Sequence, residues 1–154
     1  MCGPQTPRPS QSLGGALAVL ASPPSSSSPA QLPFSGHLIF HTIPGRSSCG
    51  SRATHATFTS SSDDASLEGC MIGIHAAGDL RMVGCPEEET MLHRFDFRRA
   101  RPSLSRSCSA EVLLDEPLEI GVGGRGIIGR KVSVWRDRGG GEGVRVAEGI
   151  VGFN

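Results

Sequence analysis

The feature that most constrains the fold is an alternation of apolar and polar residues near the C-terminus. In KVSVWR, which begins at Lys131, the two valines share one parity, and the serine and tryptophan share the other. This period of two predicts a half-buried strand. Residues 137–143, DRGGGEG, hold four glycines, which reach positive φ without steric cost and let the chain reverse. A second strand, from residue 144 onward, would complete a hairpin with Arg145 and Ala147 on one face.

The segment upstream of the hairpin is predicted to be its first partner in the sheet. Residues 111–122 carry apolar side chains mainly on one parity and are interrupted by Pro117. A proline cannot donate a hydrogen bond to a neighbouring strand. We therefore expect an edge strand here, or two short strands.

The order of these segments resembles the C-terminal strands of the hot-dog-fold acyl-CoA thioesterases. The similarity lies in a proline-leucine segment, an isoleucine-glycine-arginine strand opening and a Val-Ala-Glu-Gly strand, at Pro117, Leu118, Gly121, Ile128, Gly129, Arg130, Val132, Val146, Ala147, Glu148 and Gly149. The resemblance implies a dimer that hydrolyses an acyl-CoA thioester. It also implies contacts from Arg130 and Lys131 to the CoA phosphates and, by position ahead of the central helix, Asp79 as the acid or base that activates water.

One helix is predicted between the strands. Residues 86–99, PEEETMLHRFDFRR, place a proline and three glutamates in the first turn and arginines near the C-terminal end, as the helix dipole favours. Residues 93–97 also alternate, so a strand is the competing interpretation. Residues 36–43 and 70–75 are predicted strands. The fold class we expect is α+β: an antiparallel sheet with one helix, a complete or incomplete hot-dog.

The acidic residues divide the chain. All fifteen lie from Asp63 onward, and the first 62 residues contain none. Because residues 1–35 are rich in serine and proline, we expect them to be disordered, and residues 47–62 are predicted to be a loop. The predicted organisation is a low-complexity, disordered or targeting segment over residues 1–62 and a small hot-dog-like domain over residues 63–154. The net charge of zero gives no indication of nucleic-acid binding.

An apolar run occurs near the N-terminus. LGGALAVLA, residues 13–21, is too short to span a bilayer, so no membrane span is predicted. It fits an organellar transit segment, the apolar region of a secretory signal, or a chance patch. The transit interpretation is slightly favoured over a cytoplasmic or secreted destination, because it accounts for the whole acid-free stretch.

No metal or cofactor is predicted. His37 and His41 are four residues apart, the spacing of metal ligands on a helix, but Gly36 and Pro44 oppose a helix, so strand or surface histidines are favoured. Residues 121–126 satisfy GxGxxG. Because a strand-like segment follows in place of a helix, this match to the dinucleotide-binding motif is attributed to chance.

The cysteines and a cluster of arginines also have structural interpretations. The five cysteines are widely spaced without a CxxC pair, so free buried thiols are favoured over a zinc site or a Cys70–Cys85 disulfide. Arginines between residues 94 and 106 are interpreted as charges at a helix end and in a loop, in preference to a phosphate-binding site.

Two functions from different classes follow. The first is a thioesterase-like domain acting on an acyl-CoA-like small molecule as a homo-oligomer. The alternative is a non-enzymatic, largely disordered or truncated chain with a small C-terminal β-unit. The chain has no G-x-S-x-G segment, which disfavours an α/β-hydrolase.

Overall fold

The fold consists of β-strands. A computed structural model of the chain describes residues 15–23, 34–42, 51–60, 67, 69–80, 91–97, 101–102, 109–136 and 143–154. Within these ranges there are nine strands: β1 Ala16–Ala21, β2 Ser35–His41, β3 Arg52–Ser60, β4 Cys70–His75, β5 Met91–Asp96, β6 Arg101–Pro102, β7 Ser109–Glu119, β8 Lys131–Arg136 and β9 Val144–Phe153.

All nine strands form one antiparallel sheet, in the order β5-β4-β8-β9-β1-β2-β3-β7-β6. The sheet curls into a nearly closed, barrel-like shape. Phe40 on β2 and Phe95 on β5 lie five positions apart in the strand order, yet their ring centroids are 6.2 Å apart at an interplanar angle of 82°. The two end strands, β5 and β6, are separated by four residues of sequence, which limits their ends to about 18 Å apart.

The interior is filled by alternate side chains from the strands. Small residues stand next to large ones, as the inside of a narrow curled sheet requires. Gly36 illustrates the fit, because a Cβ added there would collide with the ring of Phe58. The largest side chains with almost no exposure are Phe40, Phe58, Phe97, Leu20, Leu38, Leu67, Ile72, Ile74, Ile127, Val132, Val134 and Val151.

The predicted α+β fold with one helix is wrong. Within the described residues there is no α-helix, and the centre of the expected helix is strand β5. Phe95 pairs with Ile72 of β4 and turns into the interior. A helix would have carried only a thin apolar stripe, whereas the alternation found in residues 93–97 buries Phe95 and Phe97, so the competing strand interpretation is confirmed. Residues 86–90 and 98–99 lie outside the described residues.

The structure also corrects the expectation of a disordered segment ahead of the sheet. Strands β1, β2 and β3 lie inside the sheet order and join β9 to β7. Threonine-rich RATHATFTS forms β3, because Ala56 and Phe58 point into the interior while threonines, which favour strands, alternate with them. Strands from both sides of residue 62 therefore share one core. Residues 1–14, 24–33, 47–50 and 61–62 lie outside the described residues.

The predicted hairpin is confirmed, with one change in its faces. Strands β8 and β9 pair antiparallel, and the register shifts between Val134 and Trp135. Val134 is opposite Ala147 and Trp135 is opposite Arg145. The extra residue between them, Val146, places Ala147 inside and Arg145 outside, whereas a regular strand would have put both on one face.

The predicted partner of the hairpin is wrong. Strand β7 pairs with β3, and the hairpin lies between β4 and β1. Pro117 occurs in β7 beyond the two positions, Glu111 and Ala110, at which β6 pairs. The missing N–H of Pro117 therefore costs no hydrogen bond to β6. The predicted strands at residues 36–43 and 70–75 are confirmed as β2 and β4.

The membrane question has a narrow answer. Searching the described ranges, we find no helix with the length and apolar character needed to cross a membrane.

Candidate functional site at the seam of the sheet

A gap remains where the curled sheet does not close. On one side is β5, the first strand of the order. The charges of Glu116 on β7 and of Arg125 and Arg130 reach His93 on this strand, and both arginines belong to residues 120–130, which we call the glycine loop. A cavity of about 310 Å³ opens along β5, lined in the described part of the chain by Met91, Leu92, His93 and Arg94. Cavities of this size accept small molecules, so the gap is the first place to look for a site.

His93 joins the two sides of the gap. It lies opposite Ile74 in the sheet, and Arg125 in the glycine loop is near enough to shift the pKa of its ring. Its Nε2 is buried and has no hydrogen-bond partner among the residues that the structure describes.

Electrostatics keep this imidazole neutral. Burial lowers the pKa of His93 below its ordinary value, and the positive charge of Arg125 lowers it further. The hydrogen bond to the Arg125 backbone and the carboxylate of Glu116 act in the opposite direction. Because the pKa falls, the ring at neutral pH is an unprotonated base.

Two arginines lie close enough to His93 to lower the pKa of its ring, Arg125 and Arg130. Arg94 and Arg125 are exposed, and neither makes an ion pair within the described ranges. Guanidinium groups bind phosphate and carboxylate oxygens with two parallel hydrogen bonds. We call His93, Arg94, Glu116 and Arg125 the seam site. It combines a neutral base with two arginines at the surface.

The glycine loop has a defined shape. Gly123 and Gly124 have φ values of 76° and 49°, which only glycine adopts at little cost. The amide of Gly126 donates to the carbonyl of Gly123 at 2.8 Å, and the amide of Ile127 donates to that of Glu119 at 3.0 Å. A strand follows the loop, so the GxGxxG match lacks the helix that dinucleotide binding needs.

The residues implied by the thioesterase resemblance lie in three different settings. Asp79 is exposed in the turn after β4. Arg130 donates from its guanidinium to the carbonyls of Gly126, Gly124 and Ala76. Lys131 faces the outside of the sheet. The structure brings Arg130 to the glycine loop beside the seam site, and the roles of all three residues stay predictions.

A second group of polar residues, buried apart from the half-buried Arg145, lies on the outer face of β4, β8 and β9. We call His75, Lys131, Ser133, Arg145 and Glu148 the outer polar row. Ser133 and His75 are 3.0 Å apart at Oγ and Nε2. Lys131 Nζ and one Arg145 nitrogen each lie 3.6 Å from Glu148 Oε2. Alternation in β8 predicted that Ser133 and Trp135 share a face, but no local signal indicated their partners on other strands.

The outer polar row is packed too closely for a reacting substrate. Ser133 is 0% exposed and His75 is 4% exposed, and the Trp135 ring lies 5.7 Å from the His75 ring. A serine and a histidine in hydrogen-bond contact satisfy one another when buried. We interpret this row as structural.

A third group lies on the outer face of β2, β3 and β7. The rings of His41 and His55 are stacked 5.8 Å apart. His41 Nε2 lies 2.8 Å from Thr57 Oγ1 and 3.5 Å from Glu111 Oε1. In the described ranges, no set of three or more histidine, cysteine, aspartate or glutamate residues is arranged to hold a metal ion. His37 and His41 lie on strand β2, as one of the two sequence interpretations predicted. Cys70 is a free, buried thiol.

Comparisons with known proteins do not assign this chain to a family. Neither the known protein families nor the curated protein sequences contain a match to this chain. The thioesterase resemblance therefore stays a prediction about activity, separate from the hot-dog fold that the strands contradict.

Proposed function

We propose that the chain binds a small phosphate-bearing molecule at the seam site, and that this molecule is an acyl-CoA-type thioester that the chain hydrolyses. The observation that carries the proposal is His93, which lines the cavity and whose Nε2 is buried without a hydrogen-bond partner among the described residues. A buried polar atom of this kind needs an explanation, and a bound water or ligand supplies one.

The proposed chemistry begins with water. A water molecule donates a hydrogen bond to Nε2 of His93, and its oxygen attacks the thioester carbonyl carbon. The imidazole takes the proton as the attack proceeds. The carbon–sulfur bond then breaks, and the leaving sulfur takes the proton from the imidazolium. The products are a carboxylic acid and a thiol, so atoms and charges balance.

The phosphate end of the substrate would meet arginine. Arg94 and Arg125 are both exposed. Arg94 lines the same cavity as His93, and the charge of Arg125 acts on the His93 ring. Charge-assisted hydrogen bonds to phosphate are about twice as strong as neutral ones. Glu116, on the same rim, would disfavour the free fatty acid by repulsion. This arrangement favours a substrate with phosphate at one end and an uncharged acyl group at the other.

The test is a thiol-release assay on the full chain with acetyl-CoA and longer acyl-CoAs, together with CoA binding by calorimetry. His93→Gln should lower kcat by about a hundredfold or more, because general-base catalysis contributes at least that factor. His37→Gln, an exposed histidine on β2, is the matched control and should leave the rate unchanged.

The outcomes separate the function classes. Thiol release that depends on His93 supports the hydrolase. Binding of CoA without thiol release would exclude hydrolase activity. It would leave a non-enzymatic binding domain, the alternative class that the sequence suggested. A chain that neither binds CoA nor releases thiol contradicts the whole proposal.

A further inference from the structure

We propose that Lys131 and Glu148 are the site of a covalent modification, an intramolecular amide that joins β8 to β9. The bond links the side-chain nitrogen of Lys131 to the side-chain carbonyl carbon of Glu148, with loss of one water molecule. The site belongs to the outer polar row, so the inference is independent of the seam site and of the proposed function.

The first reason is that the two side chains are held together away from water. Lys131 and Glu148 are diagonal neighbours, since Glu148 lies opposite Ser133 in the register of β8 and β9. Nζ of Lys131 lies 3.6 Å from Oε2 of Glu148, and the side chains are 7% and 9% exposed. Because Oε2 is bonded to Cδ, Nζ lies within about 5 Å of that carbon. Reacting groups held about 3–3.5 Å apart reach effective concentrations on the order of 10⁵ M, and a small side-chain rotation closes the remaining distance.

The second reason is that the ion pair is incomplete. Oε2 of Glu148 is buried and has no hydrogen-bond partner among the residues that the structure describes. Its separation of 3.6 Å from Nζ exceeds the usual hydrogen-bond range of about 2.7–3.2 Å. A buried ion pair is favourable when its geometry is good and its oxygens are satisfied by further hydrogen bonds. Formation of the amide removes the unsatisfied oxygen as water and leaves both side chains without a charge.

The third reason is the type of residue at this position. Lys131 is the single lysine in a chain with fourteen arginines, and it is buried. The guanidinium of arginine stays protonated in proteins, whereas a lysine amine that loses its proton is a nucleophile toward carbonyl carbons. The one basic side chain that can form a stable amide with a carboxyl group therefore lies against a buried carboxyl group.

The reaction needs no further reagent. A proton passes from the Lys131 ammonium to Oε2 of Glu148, which leaves a neutral amine beside a neutral carboxyl group. Nζ then attacks Cδ, a second proton moves from Nζ to the same oxygen, and the bond between Cδ and Oε2 breaks. The products are one amide and one water molecule, so atoms and charges balance. Nη1 of Arg145, 3.6 Å from Oε2, stabilises the negative charge that builds on the oxygens during the attack.

The amide forms after folding, because Lys131 and Glu148 meet only when β8 and β9 have paired. Newly folded protein therefore has the ion pair, and the cross-link accumulates in the folded state. Burial of the row then protects the amide, since hydrolysis requires water to reach a carbon whose side chain is less than one-tenth exposed.

The experiment follows the intact mass of the full chain while the folded protein is incubated at neutral pH. The wild type should become lighter by the mass of one water molecule. An amine-reactive reagent applied after denaturation should then label the α-amine alone, and a protease digest should contain a branched peptide that joins residues 131 and 148. Lys131→Arg retains the positive charge and should keep its full mass.

A further variant tests the contribution of the neighbouring arginine. Arg145→Gln should form the amide about tenfold more slowly or worse, because removal of one group that stabilises charge at a reacting carbonyl costs about 10²–10³ in rate. Arg52→Gln, at an exposed position on β3, is the matched control and should form the amide at the wild-type rate. Equal rates in Arg145→Gln and the wild type would overturn the role of Arg145.

The wild type by itself decides the main point. If it keeps its full mass after prolonged incubation and both its α-amine and Lys131 are labelled, no amide forms and the proposal is overturned. If Lys131→Arg loses water as the wild type does, the loss arises elsewhere in the chain and the proposal is again overturned. A branched peptide from the wild type supports the amide even where a variant fails to fold.

Discussion

Lys131 on β8 and Glu148 on β9 meet as diagonal neighbours on the outer face of the sheet, with Nζ 3.6 Å from Oε2 and both side chains less than one-tenth exposed. Arg145 approaches the same oxygen at 3.6 Å. One buried carboxylate therefore stands between two cations.

The first prediction concerns this carboxylate. Glu148→Gln should lower the free energy of unfolding by about 3 kcal/mol, because removal of one partner leaves buried charges uncompensated. Lys131→Met should cost less, about 1 kcal/mol, since Arg145 still compensates Glu148 and methionine replaces the lost volume. Urea denaturation measures both. Glu119→Gln, at an exposed position on β7, is the control, and an equal loss in all three variants would contradict the importance of burial.

Gly73 provides the second prediction. A Cβ at this position would lie 2.8 Å from the Trp135 ring and 2.9 Å from the Met91 sulfur. Gly73→Ala should therefore destabilise the protein by about 1–3 kcal/mol through overpacking. It should also shift the fluorescence of Trp135, the single tryptophan in the chain. Gly152→Ala, where the nearest atom is 3.9 Å away, should do neither, and similar spectra for the two variants would refute the contact.

The third prediction tests backbone strain before β8. Gly129 has a φ of 79° and has open space around its missing Cβ. Gly129→Ala should cost about 1–2 kcal/mol of stability, because a side chain at this φ meets its own backbone. Gly121→Ala, without positive φ and with its nearest atom at 4.0 Å, isolates this effect. Equal thermal midpoints for the two variants would contradict it.

The fourth prediction is a loss of stability in mild acid. Burial lowers the pKa of both His41 and His93, so in the unfolded chain these rings bind protons at a higher pH, near about 6.5. Their contribution to stability is present above that pH and is lost as the pH falls through their folded values. Thermal midpoints from pH 8 to pH 5 should decline, and His93→Gln and His41→Gln should each flatten the decline. If the thermal midpoints of both variants decline with pH as in the wild type, His41 and His93 do not cause the loss of stability in acid.

The fifth prediction concerns the boundary at residue 62. Strand β1 pairs with β9, and β3 pairs with β7, so a fragment of residues 63–154 would lose three strands from within the sheet. Far-ultraviolet circular dichroism should give a cooperative melt for the full chain and none for the fragment. A cooperative melt of the fragment would instead support the predicted domain of residues 63–154.

Local pattern predicted those elements whose residues alternate in an uninterrupted run. The hairpin of β8 and β9 and the strands β2 and β4 were found this way, because a period of two reports directly on a face that is buried. Strand β5 was misassigned as a helix because glutamates and arginines at the ends of a segment indicate helix caps, and this signal competes with the alternation of His93, Phe95 and Phe97. Packing of the two phenylalanines in the interior favours the strand.

The candidate site was less predictable than the strands. Nothing in the sequence near His93 indicates that the charge of Arg125, thirty-two positions later, acts on its ring, and nothing near Ser133 indicates its contact with His75. The contact between Ser133 and His75 arises from the pairing of β8 with β4, two strands that are far apart in the sequence.

The alternating residues specify where strands form and which side chains share a face, because these properties depend on neighbours along the chain. The order of the strands, the burial of the outer polar row and the meeting of His93 with the glycine loop depend on contacts between distant residues. The energy of such contacts comes from the packed interior as a whole. For that reason only the tertiary structure assembles the seam site.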